Sequence, residues 1–398
     1  MGLHAGKELV ILSRERLRPP QESDFSSRLR SAAVAARVGL WLGICFVLAF
    51  ITGLISHYAQ LPHPPIPLPA SPSWGYRLTQ TVHVVTGTAA VPLLLVKLWV
   101  VYPKLFQPIP RKFGALFVSG LERLSIGVLV SSAVLELTIG IMNVAQWYVW
   151  PFDFKKTHYA LAFVVIGALI VHIAVKLPVI RTALGADIDG TDVDRPTAVR
   201  PGVLTRRGVV RISWVAAGLA VIAGSSAAGT APVLNRIAVL SARSRKYGIP
   251  INRTAAQAGV VAQISRADNV CSVIHGSRTM TYSRDQLLAL PQSTHTLPIA
   301  CVEGWSVSGT WTGVPLRHLL DLVGAETGRQ VMVQSVQRGT TESQTILPAD
   351  FADDSRTLLA LHLDGEPLSY DHGYPARLIA PDRPGALQTK WVSRIEVL

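Results

Sequence analysis

One cysteine stands where it could hold a metal ion. The apolar run Leu297-Pro-Ile-Ala-Cys301 reads as a strand ending on Cys301, and no CxxC partner accompanies it. A soft thiolate presented singly suits one bond to a soft metal better than a zinc cage. The Gly/Ser/Trp-rich stretch that follows reads as a loop, and Gly313-Val-Pro-Leu-Arg-His-Leu-Leu then opens a helix. Trp305 and Trp311 in that stretch either line a pocket beside the thiolate or pack in the core. Two later turns add complementary chemistry. Asp371-His372-Gly373-Tyr-Pro375-Ala-Arg377 sets a histidine and an arginine ahead of an apolar strand, and Pro384-Gly385-Ala-Leu-Gln388-Thr389-Lys390-Trp391 carries a lysine to a second turn. Histidine, arginine and lysine converging with backbone amides suit a polar organic cofactor that bears phosphate.

A second set of candidates lies in long uncharged runs. His57, His83, His158 and His172 sit in or beside them. His158 and His172 are 14 residues apart, nearly four helical turns, which puts them on one face about 21 Å apart. A histidine inside a membrane is costly unless partnered. Bis-histidine haem b between the second and fourth runs would satisfy His83 and His158. Hydrogen bonds between helices would satisfy them as well. Glu136, in the third run, could face a cofactor, a quinone or a polar neighbour.

These residues need elements to position them. Of 398 residues, 49% are hydrophobic and only 16% charged, too apolar for an ordinary soluble chain of this size. Apolar runs at about 33–56, 76–101, 116–142, 158–180 and 209–230 read as five membrane spans. The proline-rich Leu61-Pro-His-Pro-Pro-Ile-Pro-Leu-Pro69 cannot be helical and links the first two. The net charge of +13 collects at 1–37, 97–112 and 176–207, beside alternate span ends. Membrane orientation explains that clustering better than nucleic acid, and it puts the N-terminus in the cytoplasm and 231–398 outside. No cleavable signal peptide opens the sequence. Three cysteines make no disulfide framework: Cys45 reads as a packing residue, while Cys271 and Cys301 could pair in an oxidising compartment. Beyond 231, short strands at 330–335 and 376–380 alternate with turns and with helices at about 283–289 and 315–322. The fold class is therefore multi-domain, an all-α transmembrane bundle followed by an α+β domain. Its parts are a cytoplasmic tail (1–32), a four-helix domain (33–180), a cytoplasmic linker (181–208), a fifth span (209–230) and an extracytoplasmic domain (231–398).

Over about 250–398 the motifs resemble the molybdopterin domain of the sulfite oxidase family, including the catalytic subunit of periplasmic methionine sulfoxide reductases. The resemblance implies that Cys301 is the molybdenum thiolate. It further implies that Asn252, Arg253, His372, Arg377, Gln388, Thr389 and Lys390 hold the pterin. Two departures stand out. Ser335-Val-Gln337-Arg338-Gly339-Thr340 lies where the family often has Asp-Gly-Tyr, and the sequence stops at Leu398, ahead of the second domain that sulfite oxidases carry. S-oxide or N-oxide reduction is expected over sulfite oxidation on that ground. The histidine pattern resembles the four-helix cytochrome b subunits of formate dehydrogenases. That implies an outer haem b on His83 and His158, with His57 as an alternative ligand. A second, inner haem on His172 would lack a histidine partner, Lys97 being at similar depth. Because a molybdenum pterin is inserted in the cytoplasm, Arg206-Arg207 before the fifth span resembles an internal twin-arginine export signal; a plain cytoplasmic anchor is the other use.

The expected protein is thus a multi-pass oxidoreductase of a bacterial cell membrane. Its expected cofactors are molybdenum-molybdopterin and one or two haem b, and its expected partners are a small oxo substrate, membrane lipid and quinone or another redox partner, with no nucleic acid. Oxidation of a small sulfite-like substrate into the quinone pool is one alternative. A membrane cytochrome or binding protein whose outer domain has lost its metal is another.

Overall fold

The computed structural model describes residues 20–25, 28–66, 68–108, 110–192, 194, 202–224, 248–266, 270–340 and 343–398. Most of the expected tail at 1–32, residues 195–201 of the expected linker, the end of the fifth run at 225–230 and the start of the expected C-terminal domain at 231–247 lie outside the described residues.

Among the described residues, five helices are long and apolar enough to cross a membrane: α1 (Ala32–Ala59), α2 (Gly75–Val101), α3 (Phe113–Val144), α4 (Phe154–Gly185) and α5 (Arg206–Gly224). At about 1.5 Å per residue, even the 19 residues of α5 reach the length of a bilayer's hydrocarbon core. Large apolar side chains face outward along them, as in Leu95, Phe117, Ile170 and Val175.

The chain divides into two compact units. The first comprises Met1–Cys45, Ala89–Leu135 and Phe163–Gly218. Here the basic residues have structural uses. Arg37 closes the C-terminus of α4, donating to the carbonyls of Ala183 (3.2 Å), Leu184 (3.5 Å) and Ala186 (2.8 Å). Arg206 is buried, donates to Arg28 O (2.8 Å), Ile188 O (3.3 Å) and Gly190 O (2.5 Å), and pairs with Asp194. Lys176 pairs with Glu122, and Lys97 donates to Ala35 O at 2.7 Å.

The second unit comprises Phe46–Thr88, Glu136–Ala162 and Leu219–Leu398. Its strands are β1 (Val270–His275), β2 (Arg278–Ser283), β3 (Ser293–Ala300), β4 (Ser306–Pro315), β5 (Val331–Ser335), β6 (Gln344–Leu347), β7 (Leu358–Leu363), β8 (Glu366–Pro367), β9 (Arg377–Ile379) and β10 (Val392–Val397). They form two sheets, one in the order β2-β1-β10-β5-β6, the other β3-β4-β7-β8 with β9 also on β7. All pairings are antiparallel except β1 with β10. Strand β7, Leu358-Leu-Ala-Leu-His-Leu363, is apolar on both faces because it separates two cores. Leu359 and Leu361 face one that contains Val273, Leu319 and Ile395; Leu358, Ala360 and Leu363 face another that contains Ile299, Cys301 and Trp311. Asp382 accepts from the amide of Tyr76 (2.5 Å), binding an orphan donor in the first turn of α2.

The segment expected to be a loop after the cysteine is instead β4, which lies between β3 and β7. Its glycines made it read as a loop, yet sterics put one of them there. A Cβ on Gly313 would run into the carbonyl of Leu359 and the Cα of Ala360 on the neighbouring strand. Gly313→Ala is expected to destabilise the fold by about 3 kcal/mol, since backbone cannot move aside as a side chain can. Thermal or denaturant unfolding of the purified variant checks it.

Candidate functional site

Cys301 follows β3 directly and is 1% exposed. A tight turn returns the chain: Gly304 N donates to Cys301 O (3.0 Å) and Cys301 N to Trp305 O (2.8 Å). Gly304 has φ +82, and a Cβ there would lie 2.6 Å from Val84 Cγ2 and 3.2 Å from Val144 Cγ2, so only glycine fits. Glu303 is buried beside the thiol. Its Oε2 lies 3.8 Å from Cys301 Sγ and accepts from Trp305 Nε1 at 2.9 Å. Burial, then the Glu303 carboxylate, hold the Cys301 thiol well above its ordinary range. Deprotonation therefore calls for a cation, which a metal would provide.

The cations of the two later turns gather in the same electrostatic neighbourhood. Arg377 opens β9, is 7% exposed, donates to His372 O (3.2 Å) and lies over Trp311, 5.5 Å from the ring centroid. Its Nε is buried with no hydrogen-bond partner among the described residues, and burial lowers the guanidinium to about 10, with Cys301 acting in the opposite sense. Lys390 Nζ donates to Arg253 O (2.5 Å) and Asp371 O (3.2 Å). Burial, then Arg377, lower it to about 7. His372 donates Nε2–H to Ile249 O (3.1 Å) and accepts from Ser369 Oγ through Nδ1 (2.8 Å). Burial first, with Arg377 and Lys390, lowers it to about 4 and keeps it neutral. A buried guanidinium with an unpartnered nitrogen, beside the half-buried ammonium of Lys390, suits an anion.

That arrangement sets a pH dependence. The Lys390 ammonium is disfavoured in the fold, its pKa falling from 10.5 to about 7. Below about 7 both folded and unfolded chains hold the proton; between about 7 and 10.5 the unfolded chain holds more, so stability rises with pH. The cofactor-free protein is expected to unfold at a higher temperature at pH 9 than at pH 7, and Lys390→Met to remove that difference.

Not all the candidates point the same way. Gln388 donates inward to Ala380 O (3.3 Å) and Arg383 O (2.9 Å), and Thr389 meets Thr345 Oγ1 at 3.3 Å. Asn252 is exposed, and Arg253 presents its carbonyl to Lys390 and its guanidinium to Gln257 O (3.4 Å). Trp305 and Trp311 are core residues, 4% and 0% exposed. Cys271 is free, on β1 in the other core, and makes no disulfide with Cys301.

The histidines of the same unit form a second cluster. His83 and His158 face each other with ring centroids 6.0 Å apart and planes at 80°. His83 Nδ1 meets Ala49 O at 2.9 Å and Thr52 Oγ1 at 3.3 Å, and His158 Nδ1 lies 3.2 Å from Glu136 Oε1. Glycines pack against both rings: a Cβ on Gly53 would be 3.1 Å from His83 Cε1, and one on Gly140 would be 3.3 Å from His158 Cε1. His57 does not join them and stacks on Tyr159, with centroids 3.7 Å apart. His172, in the first unit, has Lys97, Lys176 and Glu122 as its charged surroundings.

Residues 259–398 match the family described as oxidoreductase molybdopterin binding domain. This stretch is a molybdopterin-binding oxidoreductase domain. The chain is 32% identical over 116 residues to the YedZ1 subunit assigned to a protein-methionine-sulfoxide reductase of Azospira oryzae, covering 29% of this chain and 43% of that one. It is 34% identical over 113 residues to the sulfite oxidase of Arabidopsis thaliana, 24% of this chain and 29% of that one. With the NADH nitrate reductase 2 of Phaseolus vulgaris it shares 35% over 107 residues, 23% and 12% of the two chains. The aligned stretch is less than half the length of each of these relatives.

Two buried polar residues of the molybdopterin-binding domain escaped the sequence reading. Glu303 carried a signal, an acid two residues after the cysteine amid apolar neighbours. Arg383, 4% exposed, donates to Ile346 O (3.1 Å) and leaves Nε and Nη1 without partners; it sits between two prolines and reads as a surface turn.

Proposed function

We propose that this chain is a membrane-anchored molybdenum oxidoreductase that moves an oxygen atom from an S-oxide or N-oxide, with electrons delivered through a b-type haem from quinol. The observation that carries the outer site is the buried lone thiol of Cys301 within electrostatic reach of Arg377, whose Nε has no partner, and of Lys390. A pterin phosphate fits there, because it would supply the anion those cations lack. Cys301 would bind the metal, Arg377 and Lys390 the anionic groups, and Asp371 and the Arg253 carbonyl would orient Lys390. His372, with both ring nitrogens engaged, would hold the 249–253 segment against the cofactor. When bound, the molybdenum pterin supplies two-electron oxygen-atom transfer. The apolar wall of Ile299, Trp305 and Trp311 keeps water from the thiolate.

His83 and His158, with ring centroids 6.0 Å apart, would hold a haem between them. His83 Nδ1 is held by the Ala49 carbonyl, which would leave its Nε2 for a metal, and His158 Nδ1 lies 3.2 Å from Glu136 Oε1, close enough for that carboxylate to orient the ring once it is ligated. Gly53 and Gly140 give the rings room. We assign the four helices at 33–180 to this bundle, α5 to the anchor, the termini to opposite sides with the tail cytoplasmic, and Arg206-Arg207 to export of a folded domain. The domain at 231–398 would face outward.

The test is turnover by the full-length protein in detergent. Reduced viologen should be oxidised on addition of a sulfoxide or an amine N-oxide. Similarity to a sulfite oxidase supports a second reading, oxidation of a small sulfur oxyanion. Acceptor reduction by sulfite, with no viologen oxidation by any oxide, would replace the first reading with that one.

A further inference from the structure

The turn at 301–305 is held from outside its own sheet. Asn143, near the end of α3, donates from Nδ2 to Val302 O at 3.0 Å. Gln146 Nε2 donates to Glu303 Oε2 at 2.6 Å, and Tyr148 OH shares its one proton between Asn143 Oδ1 (3.1 Å) and Glu303 Oε1 (3.4 Å). With Trp305 Nε1 on Oε2 as well, the buried carboxylate is satisfied from both sides, by the thiolate's own turn and by the connection between α3 and α4. Gln146 has φ +54, the left-handed region at a helix C-terminus where glycine is the usual occupant. A glutamine there accepts backbone strain that a glycine would avoid, and its amide is the group that reaches Glu303.

We propose that Glu303 is a positioning residue that locks the cysteine turn to the α3–α4 connection, so that the helical segments of this unit complete the metal-binding site. The same turn touches α2 at Val84, next in sequence to His83, through the contact that only glycine at 304 permits. One short turn therefore sets both the burial of Cys301 and the spacing between the two candidate cofactor sites. Its meaning for the metal rests on Cys301 being the ligand; the lock itself does not.

The test uses full-length protein made in a host that lacks the molybdenum cofactor and purified in detergent. Alkylation of Cys301 by N-ethylmaleimide is followed by mass spectrometry, with Cys271, free and buried in the other core, as internal control. The double variant Gln146→Gly, Tyr148→Phe removes two hydrogen bonds to a carboxylate while giving the helix end the residue it prefers. Cys301 is expected to react about tenfold faster with Cys271 unchanged. An unchanged Cys301 rate would overturn the lock, and so would equal acceleration of both cysteines, which would mean general loosening. In a cofactor-making host the same variant is expected to retain less molybdenum. If Cys301 is freed but molybdenum content does not depend on Cys301 at all, the lock stands and the proposed function falls.

Discussion

Cys301→Ser is expected to lower oxygen-atom transfer by more than about 100-fold, beyond the loss usual for a residue that only supports a ligand. The substitution changes one atom in a side chain that is 1% exposed, so folding should survive it. Both backbone bonds of the turn, to Trp305 O and from Gly304 N, remain, and a serine hydroxyl can still reach toward Glu303. What disappears is the soft anionic donor. Pterin should still be retained if Arg377 and Lys390 bind its anionic groups as proposed, since neither side chain is bonded to the sulfur. Pterin content and turnover, measured on the same preparation, check this. Loss of both would mean that the variant fails to load, and retention of both would remove Cys301 from the chemistry.

The second large effect concerns the helices. His158→Ala is expected to abolish a dithionite-reducible b-type absorption band, and His83→Ala to do the same, because a haem held by both rings would lose a ligand in either variant. His57→Ala should leave the band in place, since that ring is stacked on Tyr159 and not turned toward the other two. A band that survived loss of His83 and His158 but not of His57 would reassign the ligands.

Much of this architecture was legible in the sequence, for physical reasons that differ by element. The five apolar helices follow from runs long enough to dictate their own structure. Cys301 at a strand end and the gathering of Arg377 and Lys390 follow from local chemistry that turn residues announce. Strand β4 was not legible, because Gly309 and Gly313 are loop-like in isolation and only the close approach of Ile249, Leu359 and Leu363 explains them. Nor was the inward aim of Gln388 and Thr389, which depends on the carbonyls of Ala380 and Arg383 and the hydroxyl of Thr345. Glu303 acquires its role from Gln146 and Tyr148, more than 150 residues away in sequence, a separation no local pattern encodes. The basic residues show the same principle: the sequence offers Arg37 as one of a basic cluster and Arg206 as half of a twin-arginine motif, whereas in the fold each also donates to several backbone carbonyls.

The most direct test is metal and haem content of the full-length protein, purified in detergent from a host that makes the molybdenum cofactor, with an optical spectrum before and after dithionite. About one molybdenum per chain and a reducible b-type band are the expected result. Molybdenum without the band would leave an anchored enzyme that draws electrons from another partner. No molybdenum at all would contradict the account.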